Sequence, residues 1–271
     1  MFYKDIKTEA IPERVLEMTR IAAEKKSIDR SELKDIFIQE KLSKGVTDYF
    51  GPVFEAAQEL EIIQFKDNQV VFSGEKNDIK SFNTFRRYCN SRLFDDENSQ
   101  FYQIISCFLD ANDDWFQYGS ISTSDEIPRI LNKKTGIPTM KLKKDVVLAI
   151  RFWLNFLGFG YIQESAKIFL PNMYTALKDF IVLGNIESGK EYSMREFFDN
   201  LHRGSSVALN GSRESLRINL AMSNALRLMH DNQEIQLERH LDSARTWHLF
   251  RNPEHEFTDE ITHILIRKAV E

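Results

Sequence analysis

The chain has 271 residues, 42% hydrophobic and 28% charged, with a formal net charge of −5. That length allows one large or two modest domains, each able to bury a core, and the composition excludes general disorder. The acidic balance excludes a protein whose whole surface coats nucleic acid, though it leaves room for a local basic face.

Two cysteines, Cys89 and Cys107, make no disulfide framework in a chain this long. Each lies in an apolar helical phrase, which is the setting of a buried free thiol in a reducing compartment. The opening MFYKDIKTEA places charge where an export signal needs an apolar stretch. The most apolar run, Val146 to Ile162, contains Arg151 and Asn155. It falls short of about 20 uninterrupted apolar residues, so it reads as a buried core helix and not as a membrane span. The expected location is cytoplasmic, with no membrane partner.

Residues 1–75 read as a first module. Pro12 suits a first helical turn, and Val15, Leu16, Met18, Thr19 and Ala22 give that helix one apolar face. Ser27 or Asp29 can cap a short second helix carrying Leu33, Ile36 and Phe37. After Gly45, a third helix within Thr47 to Leu60 turns Phe50, Val53, Phe54 and Ala57 inward. Ile62, Ile63 and Phe65, then Lys66-Asp67-Asn68, then Val70, Val71 and Phe72 form a β-hairpin pattern. Three helices followed by a hairpin is the order of a winged helix.

Residues 76–142 read as a helical connector. It is helical from Asn77 to about Ala111, then polar and turn-rich, and ends in the basic phrase KKTGIPTMKLKK. Residues 143–271 read as a helical segment leading into a second winged helix. A helix from Lys144 to about Phe159 comes first, then one or two helices around Pro171 that end at Gly184. SMREFFDNLHR (Ser193 to Arg203) repeats the pattern of SELKDIFIQ in the first module, with Ser before an amphipathic turn. A long helix from Arg213 to about His230 follows. Ile235 and Leu237 form one wing strand, and Thr246 to Phe250 form the other. The expected fold is therefore mainly α with small β-wings: tandem winged-helix domains joined by a helical middle region.

Catalytic signatures fail on inspection. DANDDWFQYG starts like a calcium loop at Asp110, Asn112 and Asp114, but Trp115 stands where Gly is needed and Ile121 where Glu is needed. The GFG at Gly158 follows a helix and lacks the third glycine of a dinucleotide fingerprint. The six histidines all lie after residue 200, at His202, His230, His240, His248, His255 and His263. Their spacing matches no standard metal pattern, although convergence with Glu254, Glu256 or Asp259 would make one. No catalytic residue, cofactor or metal is assigned, and the expectation is a binding protein.

The third helix of the first module has no Lys or Arg and carries Asp48, Glu55 and Glu59. Against a duplex with one charge per ~1.7 Å it would be repelled. Its apolar and aromatic residues Tyr49, Phe50 and Phe54 fit either a protein partner or burial against the rest of the chain. The second module's helix offers Arg213, Arg217 and Arg227, with Asn224 as a polar reader. Arg213, Arg217 and Asn224 fall close to one face, which suits DNA contact or a solvated face with local ion pairs. The densest basic patch is Lys133, Lys134, Lys141, Lys143 and Lys144. It suits a DNA backbone contact that does not read sequence, or a solubilising loop. Arg86, Arg87 and Arg92 form a smaller cationic group.

Winged helix, connecting helices and winged helix in an acidic chain resembles the tandem winged-helix KITE subunits of bacterial SMC complexes. It is also similar to accessory subunits of anti-plasmid and anti-phage systems of the Lamassu type. IPERVL at the start and MSNALRL late in the chain are similar to DpdG-like proteins of deazapurine-DNA defence clusters. The resemblance implies a non-catalytic scaffold whose partners are an SMC-like ATPase, an effector nuclease subunit, or both, with double-stranded DNA as a further partner. A homodimer stays open. The competing reading is an autonomous, sequence-specific transcriptional regulator that uses the helix containing Arg213 to Arg227.

Overall fold

The structure is a computed structural model that describes residues 2, 7–38, 49–111, 144–163, 168–255 and 259–269. It is mainly α with small antiparallel sheets.

Helix α1 (Pro12–Lys25) starts on Pro12 and ends where Lys26 turns to φ 64°. Val15, Leu16, Met18, Thr19, Ala22 and Ala23 are buried, and the Thr19 hydroxyl is satisfied by the Leu16 carbonyl at 2.7 Å. Strand β1 (Ser27–Asp29) comes next, then α2 (Arg30–Ile38). The sequence pattern marks Ser27 and Asp29 only as caps. Asp29 does accept from the Ser31 N–H at 2.8 Å, and its hydrogen bonds to Ser31 hold its carboxyl below the usual range. Ser27, however, pairs with Val71 as the start of a strand.

Helix α3 (Phe50–Glu59) leads into β2 (Ile63–Lys66) and β3 (Gln69–Phe72). The pairing of Lys66 with Gln69 leaves a two-residue turn, Asp67-Asn68, with φ of 50° and 65°. Two consecutive positive φ values match the right-handed twist of a hairpin, and Asn tolerates them. All pairs are antiparallel, and the strand order is β1-β3-β2.

The middle of the chain contributes α4 (Phe82–Arg92), α5 (Gln100–Asp110) and α6 (Lys144–Leu157). Ser81 and Thr84 form a reciprocal capping box on α4, and Ser99 caps α5. Beyond α6 the all-helical expectation is corrected: β4 (Gly160–Gln163) pairs with β5 (Ile168–Pro171) as a hairpin. Glycine explains the local break. At Gly158 (φ 82°) a Cβ would lie 2.8 Å from the backbone N of Ala176, and at Gly160 (φ 140°) 2.4 Å from the Leu170 carbonyl oxygen. The GFG motif ends a helix and brings two backbones together.

Helix α7 (Tyr174–Leu183), β6 (Glu191–Ser193) and α8 (Met194–Asn200) open the second unit, α8 through a Ser193/Glu196 capping box. Short helical turns α9 (Ser206–Leu209) and α10 (Ser212–Ser215) precede α11 (Leu220–Asp231) and β7 (Ile235–Glu238). A two-stranded excursion, β8 (Trp247–His248) with β9 (Glu260–Ile261), comes before β10 (His263–Ile266). The second sheet is antiparallel in the order β6-β10-β7. Both units thus run helix, strand, helix, third helix, strand, strand, with the last strand central in the sheet.

Two expectations in this unit are corrected. The long helix from Arg213 is broken at Leu216, which is left-handed at φ 56°, and α11 restarts under the Asn219 cap. The strand near Thr246 to Phe250 does not pair with β7. His248 instead bonds Leu216 and Ile218, and β10 takes the place beside β7.

Buried residues of both units and of the middle helices form one continuous apolar cluster. Trp153 of α6 sits inside it, edge-on to Phe2 and Phe156, with its indole N–H donating to the Ala10 carbonyl at 2.9 Å. Cys89 and Cys107 are buried free thiols, and burial pushes the Cys89 thiol well up.

Candidate functional site

In the first unit the aromatic residues assigned to a partner are largely turned inward. Phe50 and Phe54 are buried and stack on each other at 5.5 Å, and Tyr49 meets Phe37 edge-on at 5.6 Å. Cations from neighbouring elements close over them. Arg14 of α1 lies 4.5 Å from the Tyr49 ring, and Arg30 of α2 lies 5.1 Å from Phe54 and 5.9 Å from Phe65. The helix without cations of its own therefore borrows them to cover aromatic faces. The exposed apolar residues of this unit are on the hairpin: Phe65 is 39% and Val71 38% exposed. Phe65 opposes Val70 and Val71 opposes Gln64, so by strand alternation they project from opposite faces. The alternating pattern could have flagged both, since too many apolar positions fall on one short hairpin for a single buried face.

In the second unit the basic residues do not form one face. Arg213 is held by the Asp199 carboxylate and by the Phe198 carbonyl at 3.0 Å. Asn224 donates to the Pro171 carbonyl at 3.1 Å. Arg227 is 3% exposed and donates to Asp259 at 2.7 Å; burial lowers its pKa despite that carboxylate. Helix α11 has Ala221, Met222, Ser223, Ala225, Leu226, Arg227 and Met229 buried, which leaves no wide face for a groove. Arg217 is exposed and lines a cleft of about 660 Å³ together with His248, Arg251, Asp110 and Asp259, so both charge signs meet there.

Of the lysine patch, Lys133, Lys134, Lys141 and Lys143 lie outside the described residues, and Lys144 is the first residue of α6. The calcium-like phrase after Ala111 also lies outside them. Arg86 and Arg87 point to Asp179 of α7, at 2.8 and 3.4 Å, and Arg92 reaches Glu61 at 3.4 Å. Arg86 and Arg87 are thus spent on a buried carboxylate, while Arg92 makes an exposed ion pair.

The histidines are not all scattered. His240 and His263 stack with ring centroids 4.1 Å apart, and Glu191 approaches the His240 Nε2 at 3.6 Å. Glu191, His240 and His263 offer one ligand atom each within 4.8 Å of one another. Of the carboxylates suggested by the sequence, Glu254 and Asp259 are not in this group, and Glu256 lies outside the described residues. The trio is assembled by sheet pairing between β6, β10 and the end of β7, which linear spacing does not reveal.

No family model matches this chain, and no curated protein or solved structure matches it significantly. Among the described residues no helix is long and apolar enough to cross a membrane.

Proposed function

We propose that the chain is a tandem winged-helix protein acting as a non-catalytic accessory subunit of a bacterial DNA-associated defence complex. Its partners would be an SMC-like ATPase, an effector nuclease subunit, or both. The observation that carries this reading is the repeated unit: helix, strand, helix, helix, strand, strand, with strand orders β1-β3-β2 and β6-β10-β7. In this reading β2–β3 and β7–β10 are the wings, and residues 76–142 are the connector. Docking to protein falls to the first hairpin, where Phe65 and Val71 are exposed, instead of to Phe50 and Phe54 in the interior. Contact with double-stranded DNA falls to Lys133, Lys134, Lys141, Lys143 and Lys144, as a phosphate contact without base reading.

The test is co-expression with the products of adjacent genes, followed by purification through a tag on this chain. A stable complex that is weakened by Phe65→Ser with Val71→Ser supports the proposal. A chain that purifies alone in every pairing refutes it. For the DNA arm, binding to random duplex should fall steeply between 50 and 200 mM salt, by about 10³-fold if six phosphates are contacted. A sequence-specific regulator would instead discriminate its operator by about 10³-fold or more. No observation favours that second reading, because α11 lies inside the protein.

A further inference from the structure

We infer that Glu191, His240 and His263 bind one divalent transition-metal ion of the zinc class on the outer face of the second sheet. His263 opens β10, the central strand, opposite Ser193 of β6 and Glu238 of β7. Ile264 and Ile266 of β10 are buried, so His263 and Leu265 project to the other face. Glu191 opposes Leu265 and shares that outer face, and His240 follows Glu238 just beyond β7. Three chain segments therefore deliver their side chains to one spot.

The chemistry of the donors suits the ion. Two imidazoles and one carboxylate are ligands that zinc accepts, and three protein ligands leave a further position for water or another side chain. Two ligands at about 2.0–2.1 Å from a tetrahedral ion lie about 3.4 Å apart. The 3.6 Å between His240 Nε2 and Glu191 Oε1 is close to that spacing. Glu238 lies 2.8 Å from the same nitrogen. A bound ion takes the place of the proton shared there, and Glu238 is then positioned to add an oxygen or to accept a hydrogen bond from bound water.

Thr262 supplies the orientation. It is buried, its hydroxyl donates to the Glu238 carbonyl at 3.3 Å, and it accepts the His240 backbone N–H at 2.8 Å. When that proton goes to Glu238, the hydroxyl accepts from His263 Nδ1, 2.9 Å away. In that arrangement the proton sits on Nδ1, and Nε2 of His263 keeps the lone pair a metal needs. One threonine thus contacts the ring of one ligand and holds the backbone of the other.

The experiment uses the full chain, stripped with a chelator and titrated with zinc chloride by calorimetry, with cobalt(II) absorption as the report of histidine ligation. The expected result is one ion per chain, a visible cobalt ligand-field spectrum, and a rise in Tm on zinc addition. His240→Ala and His263→Ala should each abolish the cobalt spectrum, and Thr262→Val should weaken zinc binding by about 10-fold or more. His248→Ala, outside the trio, should change nothing. Melting of each variant in chelator identifies any that fails to fold, and His263→Gln then replaces His263→Ala. Absence of stoichiometric binding, or binding that survives His240→Ala and His263→Ala in folded protein, overturns the proposal.

Discussion

Removing the Asp179 carboxylate should cost the protein a large part of its stability. Asp179, on α7, is 1% exposed. It accepts from Arg86 Nε at 2.8 Å and Nη2 at 3.1 Å, from Asn90 Nδ2 at 2.9 Å, and from Arg87 Nε at 3.4 Å. Both arginines and Asn90 are on α4, so one carboxylate joins the middle helices to the first helix of the second unit. Deleting one partner of a buried pair costs about 3–5 kcal/mol, because the other charge is left unpaired. Arg86 and Arg87 keep some access to water, with side chains 15% and 31% exposed, so the lower end applies. A loss of about 3 kcal/mol corresponds to a Tm drop of roughly 6–12 °C in a chain of this size. Urea denaturation and calorimetry of Asp179→Ala would measure it. The pair Arg86→Met with Asp179→Leu should recover part of the loss, since it removes the more buried of the two arginine charges. If Asp179→Ala melts within about 1 °C of the parent, the carboxylate does not hold α4 to α7 and the reasoning fails.

Asn68→Ala should destabilise the first hairpin by about 1–2 kcal/mol, from a left-handed alanine and the lost 2.7 Å bond to Asp29, with Asn68→Gly costing less. Denaturant midpoints would show the order, and equal values for both variants would contradict it. Gly160→Ala should destabilise strongly because its Cβ would meet the Leu170 carbonyl oxygen at 2.4 Å; a normal melting curve would exclude that close approach. His202 and His230 accept backbone N–H groups through Nδ1, from Gly204 and Leu237, and burial lowers both pKa values. The unfolded chain therefore takes up protons near pH 6.5 that the folded form refuses, so their contribution is present above that pH and declines as pH falls toward their folded pKa values. His230→Asn should flatten the acid side of the stability–pH curve. An unchanged slope would count against it.

Legibility tracks the range of the interactions. The Pro12 start of α1, the Ser193 turn of α8 and the Asp67-Asn68 hairpin are decided by residues within a few positions of one another, and all three are readable in the sequence. Strand β1 escapes such a reading because Ser27–Asp29 is only three residues long and is a strand only because Val71 lies beside it. The break at Leu216 is hidden because an amphipathic pattern continues across it; the turn is held by His248, whose N–H donates to the Leu216 carbonyl. Strand β10 has a readable alternation in HILI, but its pairing with β7 skips the whole β8–β9 excursion. The metal trio depends on that same non-local pairing, so its histidines look scattered along the chain. The aromatic residues Tyr49, Phe50 and Phe54 can be read equally as interior or interface, and the Arg14 and Arg30 cations that close over them come from helices whose relative placement the sequence does not state.

The two third helices decide what kind of nucleic-acid contact this protein could make. A helix that enters a major groove needs a free face with donors reaching base edges. Helix α11 is buried over most of its circumference, and its interior cation, Arg227, is committed to Asp259. Helix α3 presents Glu55 outward and keeps its aromatic residues under Arg14 and Arg30. Sequence readout through either helix would require it to leave the core and expose several large apolar side chains, at about 1.5–3 kcal/mol each. Such a cost exceeds what one bidentate base contact returns, about 1–3 kcal/mol. Any DNA contact therefore has to come from other surfaces, and the lysines between residues 133 and 144 suit one that follows the phosphates and ignores the bases.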